Sequence, residues 1–204
     1  MDEPKEVKMP EKEEKKPNSF VAALKKIYNF LWVSESSWSY LAFVIIAFVL
    51  LKFLMFPAFL YFSGYSDVAA VVSGSMDHGA VQIQHNFNAW LAFNGFTTEN
   101  ISTWPYQKGL NVGDVIFVKN VSADEIKTGD VILFNSANGQ IIHRVVSINK
   151  VGEDYFYTTK GDANPASSPM EKNLPYSLLK GKLVDKLPYL GYPKVAFSYV
   201  IPWL

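Results

Sequence analysis

The chain has 204 residues, and its 19 basic and 19 acidic side chains give a formal net charge of zero at pH 7. That length allows one compact domain with appendages, and the balanced charge argues against a nucleic-acid partner. Cysteine is absent, which excludes disulfides, thiolate nucleophiles and zinc-thiolate sites.

Two different segments precede the first long apolar run. Residues 1–17 alternate lysine and glutamate with proline and carry almost no large apolar side chains, which predicts a solvated, disordered tail. In residues 18–37 apolar side chains recur at helical spacing, while Lys25 and Lys26 fall on another face. This pattern predicts a short amphipathic helix on the cytoplasmic leaflet of a membrane, followed by a linker.

Residues 38–62 form a long apolar segment in which Lys52 is the single charged residue. As a helix the segment would be about 37 Å long, enough to cross a hydrocarbon core of about 30 Å. A cleaved signal sequence has an apolar core of only about 7 to 15 residues, so we predict a retained transmembrane anchor. Lysines precede the segment and none follows until Lys108, which predicts a cytoplasmic N-terminus and an extracytoplasmic domain over residues 63–204.

The extracytoplasmic part has the sequence texture of a mainly β domain. Short runs of Val, Ile, Phe, Thr and Tyr alternate with Gly, Asp, Asn and Pro. Asp114 and Asp130 each follow a glycine and precede a strand, so we interpret both as turn acceptors and the two strands as neighbours. The dipeptide Asn138-Gly139 predicts the tight turn of a hairpin.

Residues 79–112 interrupt this β texture as an insertion. Phe87, Trp90 and Leu91 recur at helical spacing, which predicts a short helix with an aromatic face, followed by an irregular stretch. The aromatic face packs on the domain's own core, or it contacts a bilayer surface or an apolar substrate.

A serine within "VVSGSMDHGA", Ser75, is the candidate nucleophile. Serine attacks well only when a base takes its proton and a third group orients that base. Of the three histidines, His78 and His85 fall in or beside the insertion, whereas His143 lies on the predicted hairpin strand. Asp162, in "TKGDANP", offers a carboxylate. Taken alone, these residues also fit a turn serine, a core histidine and a turn aspartate.

The motifs "SGSM" (73–76), "IIHRVV" (141–146) and "TKGDANP" (159–165), in this order after an N-terminal anchor, resemble signal peptidase I. Bacterial members of that family carry lysine before the arginine of the second of these motifs, whereas archaeal and endoplasmic reticulum members carry histidine. His143 therefore makes the chain similar to the archaeal and reticulum type. The resemblance runs from the anchor to the "LPYLGYPK" segment.

The resemblance implies a membrane-bound serine endopeptidase that removes signal peptides from exported preproteins after small residues. Ser75 would be the nucleophile, His143 the general base and Asp162 the group that orients His143. The Ser73 hydroxyl and the backbone N–H of Ser75 would bind the oxyanion. No metal and no cofactor is implied.

The resemblance also implies how a signal peptide binds. The peptide would add as an extended strand beside residues 68–73 through main-chain hydrogen bonds. Val68, Val71 and Val72 would then contact it, while Met76 either faces the cleft or packs in the core. The implied partners are signal peptides and the lipid bilayer of a cell membrane or the endoplasmic reticulum membrane, with accessory membrane subunits left open.

The chain departs from the family pattern in two places. Family members usually have a proline soon after the methionine, where this chain has Asp77, His78 and Gly79. They also place a second acid shortly after the Gly-Asp motif, where this chain has residues 167–169, Ser-Ser-Pro. The nearest acid is Glu171, the substitute candidate for that position.

Two other hypotheses stay open, the first of them motivated by the departure after Met76. One is a catalytically silent, membrane-tethered β domain that binds or scaffolds exported proteins. The other is a metal site formed by Asp77, His78 and His85, although the spacing of these histidines matches no standard zinc motif.

Overall fold

The computed structural model describes residues 19–137 and 139–200. The tail predicted for residues 1–17 and the hairpin residue Asn138 therefore lie outside the described residues. The chain divides into two compact units, Met1–Pro57 and Ala58–Leu204.

Helices make up the described part of the first unit. They are α1 (Ser19–Tyr28), a π-helical turn (Asn29–Val33), α2 (Ser37–Leu50) and a second π-helical turn (Leu51–Met55), which leads into α3 (Phe56–Ser63). The Ser36 hydroxyl accepts from the Trp38 backbone N–H and so caps α2. Over the described residues, Ser37–Ser63 is the one helical run long and apolar enough to cross a membrane, with 27 residues and a mean hydropathy of 2.6.

A seven-stranded antiparallel sheet forms the centre of the second unit. The strands are β1 (Asp67–Ala70), β2 (Val115–Lys119), β3 (Val131–Ser136), β4 (Gly139–Val151), β5 (Asp154–Lys160), β6 (Leu174–Pro175) and β7 (Leu179–Leu187). Their order across the sheet is β1-β2-β7-β3-β4-β5-β6. The predicted mainly β domain behind one apolar helix is therefore confirmed.

The two strands that follow the Gly-Asp turns are not neighbours, contrary to the prediction. β7 lies between them and pairs antiparallel with both β2 and β3. Because β2 and β3 run in the same direction, they need an antiparallel strand between them to enter this sheet. Both turn aspartates do act as acceptors: Asp114 Oδ2 accepts from the Asn111 N–H and Asp130 Oδ2 from the Lys127 N–H.

The predicted hairpin is present between β3 and β4, with Ser136 opposite Gly139. Alternate side chains of β3 enter two separate cores, because successive strand residues point to opposite faces. Val131 and Leu133 belong to one core, whereas Ile132 and Phe134 belong to the other. Core packing on both faces fixes the register of β4, which carries His143 opposite Ile132.

The insertion contains two helices, α4 (Val81–Phe93) and α5 (Thr98–Ser102). Phe87 and Leu91 on α4 are buried and pack with Trp104 beyond α5. The aromatic face thus lies against the protein's own interior. A last helix, α6 (Tyr192–Val200), follows β7.

Candidate active site

A short 3-10 turn after β1, Gly74–Met76, carries the candidate nucleophile. Met76 is fully buried in the core, and its backbone carbonyl accepts from the Leu110 N–H at 2.8 Å. With Met76 fixed inward, Ser75 is left half-buried, and its Oγ lies 3.3 Å from the Ser73 Oγ. The sequence thus places two hydroxyls together at one end of the sheet.

The imidazole of His143 joins this serine to a carboxylate. Its Nε2 lies 3.0 Å from the Ser75 Oγ, and its Nδ1 is hydrogen-bonded to Oε1 of Glu171. A carboxylate accepts only, so Nδ1 carries a proton and Nε2 of the neutral ring is the acceptor for the serine O–H. His143 is 6% exposed, so the protein fixes its orientation.

Glu171 is positioned by a local motif, the capping box of Ser168 and Glu171 in "SPME". Its Oε2 accepts from the Ser168 backbone N–H at 2.7 Å, which leaves Oε1 for His143. Burial acts to raise the pKa of Glu171, but the hydrogen bonds from His143 and Ser168 outweigh it, and the pKa lies below its usual value. The Ser-x-x-Glu pattern is the sequence signal that could have distinguished this acid.

The sequence predicts that Asp162 contacts Nδ1 of His143, but the structure places Asp162 elsewhere, against Arg144 and His78. Asp162 Oδ1 accepts from Arg144 Nε at 2.9 Å, and its Oδ2 accepts from Arg144 Nη2 at 2.7 Å and from His78 Nε2 at 3.0 Å. A paired guanidinium compensates a buried carboxylate far better than a neutral imidazole does. Within the described residues, Glu171 is the carboxylate that contacts His143.

These partners also control the charge of Asp162. Desolvation of the buried carboxylate raises its pKa, but the hydrogen bond from His78 and the charge of Arg144 outweigh that effect. The net result is a pKa below the usual value, so Asp162 is ionised at neutral pH.

Arg144 is enclosed by the insertion. It is 1% exposed, and its remaining N–H groups donate to the carbonyls of Pro105, Tyr106 and Gly129 at 2.8 to 3.0 Å. The guanidinium carbon lies 5.6 Å from the centre of the Trp104 ring, a cation–π distance. Every donor of this buried cation is therefore used, which indicates a structural partner for Asp162.

Lys160, at the end of β5, is a second buried cation. Its Nζ donates to the carbonyls of Gly161 and Asp162 and lies 5.0 and 4.9 Å from the ring centres of Phe87 and Trp90. Burial lowers the pKa of Lys160 from 10.5 to about 8.

We expect this lysine to give the stability of the domain a distinct pH dependence. Between about pH 8 and 10.5 the unfolded chain retains the proton that folded Lys160 has released, so the contribution of Lys160 to the free energy of unfolding rises with pH over that window. The rise is on the order of 1 kcal/mol after allowance for solvent screening. Denaturant unfolding of the wild type and Lys160→Met across pH 7 to 10.5 measures it. Parallel curves for the two proteins would contradict the assignment.

The three residues of the metal-site hypothesis are not assembled into a site. Asp77 accepts from the Gly79 N–H, His78 contacts Asp162, and His85 is exposed on α4. In the part of the chain that the structure describes, no group of three or more His, Cys, Asp or Glu side chains could hold a metal ion.

A cleft of about 450 Å³ opens beside Ser75 and His143. Val71 and Val72, two of the residues predicted to contact a substrate, line it together with Ala69, Ala70, Ser73, Ile116, Leu133, Gln140, Ile141, Ile142 and Lys194. Val68 is not among its lining residues, because it lies further back on β1, opposite Phe117. Met76 lies in the core, where its sulfur contacts the Asp162 N–H at 3.4 Å.

A serine hydroxyl, an imidazole and a carboxylate linked in this order beside a cleft form the geometry of a serine hydrolase.

Comparison with known proteins finds curated relatives with peptidase names. The chain is 36% identical over 75 residues to signal peptidase I W of Bacillus subtilis (strain 168), covering 36% of this chain and 40% of that protein. It is 28% identical over 109 residues to the signal peptidase complex catalytic subunit SEC11 of Schizophyllum commune (strain H4-8 / FGSC 9210), covering 42% and 56%.

The chain thus spans about half the length of these curated relatives. No protein-family model matches it. At this modest identity, the two relatives support a relationship between this chain and the signal peptidase I family. Their names also support a peptidase activity, at the level of the family.

Proposed function

We propose that the chain is a membrane-bound serine endopeptidase that cleaves the signal peptides of exported preproteins after small residues. The observation that carries this proposal is the 3.0 Å contact between Ser75 Oγ and His143 Nε2, within hydrogen-bond reach for a nucleophile and its base. The names of the two relatives supply the substrate class.

In the proposed reaction, Ser75 Oγ attacks the scissile carbonyl carbon while His143 Nε2 takes its proton. When the C–N bond breaks, His143 returns that proton to the leaving amine and an acyl-enzyme remains. Water, activated by the same imidazole, then hydrolyses the ester and regenerates Ser75. Glu171 holds Nδ1–H and stabilises the imidazolium that forms in each step.

We assign the oxyanion to the Ser73 hydroxyl and the backbone N–H of Ser75. Ser73 is exposed and its Oγ lies 3.3 Å from the attacking Oγ, so it is close to the position of the developing charge. A donor at such a position stabilises the transition state more than the ground state.

The proposed substrate strand lies along β1. The backbone of Val71 bonds inward, since its N–H donates to the Asp114 carbonyl and its C=O accepts from the Gly113 N–H. β1 pairs with β2 on one side and is the edge strand of the described sheet, so its other side has no strand partner and could accept an added strand. Ala69 and Ala70 in the cleft leave room for small side chains of the substrate.

The remaining parts of the proposal concern the membrane. Ser37–Ser63 would be the single anchor, with a cytoplasmic N-terminus, in a cell membrane or the endoplasmic reticulum membrane. His143 in place of a lysine base supports the archaeal or reticulum type, and the lipid bilayer is then a permanent partner. Imidazole has a usual pKa near 6.5, so it needs little tuning as a base at neutral pH.

Intact-mass spectrometry of a defined preprotein tests this proposal. We expect the full chain in detergent to produce one cut, directly after an alanine at the end of the signal peptide. The matched preprotein with phenylalanine in place of that alanine should be cut at least about a hundredfold more slowly, because the added ring does not fit beside the cleft alanines. Equal cleavage of both preproteins, or cleavage of neither, would contradict the proposal.

A further inference from the structure

Two polar contacts join the segment that carries the nucleophile, residues 73–79, to the loop of residues 161–164. The carbonyl of Ser75 accepts from the Ala163 N–H at 2.8 Å. Three residues after Ser75, His78 Nε2 lies 3.0 Å from Asp162 Oδ2. The nucleophile segment is therefore held to this loop on both sides of Met76.

The same loop lies directly against the serine and the base. A Cβ added at Gly161 would lie 2.7 Å from His143 Nε2 and 2.8 Å from the Ser75 carbonyl oxygen. Because Gly161 packs this closely against both groups, a shift of the loop is expected to move Ser75 or His143. The contacts that hold Asp162 in this loop therefore bear on the position of the reacting atoms.

Asp162 is fixed from two directions. Arg144 holds it from β4, and His78 holds it from the nucleophile segment itself. The His78 side chain is only 5% exposed, and its ring centre lies 5.0 Å from that of Phe87 on α4. A Cβ at Gly109 would lie 2.9 Å from His78 Cδ2, so the ring is closely packed.

We infer that His78 is a positioning residue for the proposed peptidase: its hydrogen bond to Asp162 locks residues 73–79 to residues 161–164 and thereby sets the Ser75–His143 distance. The catalytic part of this inference rests on the proposed function. The structural part, that this hydrogen bond holds the two segments together, concerns the folded domain and does not depend on catalysis. His78 acts through Asp162 and does not touch the scissile bond.

Three variants of the full chain test the inference. His78→Phe keeps the ring and removes the donor, whereas His78→Gln keeps a donor that can reach Asp162. His85→Phe is the matched control, because His85 is an exposed histidine on α4 outside the site. The measurements are kcat and KM for preprotein cleavage and hydrogen exchange of the Ala163 amide, with amides of β4 and β5 as the reference for global folding.

We expect His78→Phe to lower kcat about 10- to 100-fold with little change in KM, since a misplacement of about 1 Å can cost 10²-fold in rate. The Ala163 amide should exchange at least about tenfold faster, with the β4 and β5 amides still protected. His78→Gln should restore most of both properties, and His85→Phe should match the wild type.

The inference would be overturned by an unchanged Ala163 amide in His78→Phe, or by a faster amide with an unchanged kcat. If the wild-type chain cuts no preprotein, the proposed function fails, and the exchange of the Ala163 amide still decides whether His78 is a lock. Loss of protection in β4 and β5 together with Ala163 would show a global structural role for His78 and would also overturn the inference.

Discussion

Replacing Ser75 with alanine is expected to lower kcat for preprotein cleavage by about 10⁵- to 10⁶-fold. The variant loses the atom that attacks, and His143 then has no hydroxyl to deprotonate. What remains is binding and oxyanion stabilisation, which account for only about 10³- to 10⁴-fold over water in serine proteases. Single-turnover cleavage in detergent, followed by intact mass, measures the loss.

Two other serines serve as controls for this variant. Ser73→Ala removes the proposed oxyanion donor and keeps the nucleophile, so its loss should be smaller, about 10²- to 10³-fold. Ser177 is exposed and does not line the cleft, and Ser177→Ala should cleave at the wild-type rate. If Ser75→Ala kept more than about one hundredth of the wild-type rate, another group would have to be the nucleophile.

Replacing Glu171 with glutamine is expected to lower kcat about 10⁴-fold while the protein stays folded. Glutamine has nearly the same shape but offers an amide to Nδ1 of His143, which favours the wrong imidazole tautomer and no longer stabilises the imidazolium. The corresponding change in a serine protease triad has an effect of this size. The rate of cleavage and its pH dependence report the chemical step. A thermal unfolding curve of the same variant reports its stability.

Asp162→Asn is the matched variant, and its main defect should be in stability. Neutralising Asp162 leaves Arg144 buried without its countercharge, which typically costs about 3 to 5 kcal/mol. A 10⁴-fold loss of kcat in a fully stable Asp162→Asn protein, with less than a tenfold loss in Glu171→Gln, would return the orienting role to Asp162. The two variants thus decide between the acid expected from the sequence and the acid that contacts His143 in the structure.

The parts of the fold that follow from local patterns could be predicted. The apolar run, the hairpin at Gly139 and the two turn aspartates depend on neighbouring residues, and all three are present. Ser75 and His143 could be proposed from motif order, and the structure brings them within 3.0 Å; their catalytic roles stay predictions.

The choice between two acids nine positions apart, Asp162 and Glu171, could not be predicted in this way. It depends on Arg144 and His78 reaching Asp162 from distant parts of the chain, and on a short capping motif that turns Glu171 inward. The position of β7 between β2 and β3 could not be predicted either, because the periodicity of a single strand does not determine which other strands it pairs with.

The position of β7 has a consequence for biosynthesis. The described sheet has two halves, and β7 (Leu179–Leu187) is the strand that hydrogen-bonds to both. One half, β1 and β2, lies beside the nucleophile. The other half, β3 to β6, carries His143 on β4, with Glu171 between β5 and β6. During synthesis β7 follows the other six strands of the described sheet. The half of the sheet beside Ser75 and the half that carries His143 are therefore joined only after both halves have been made.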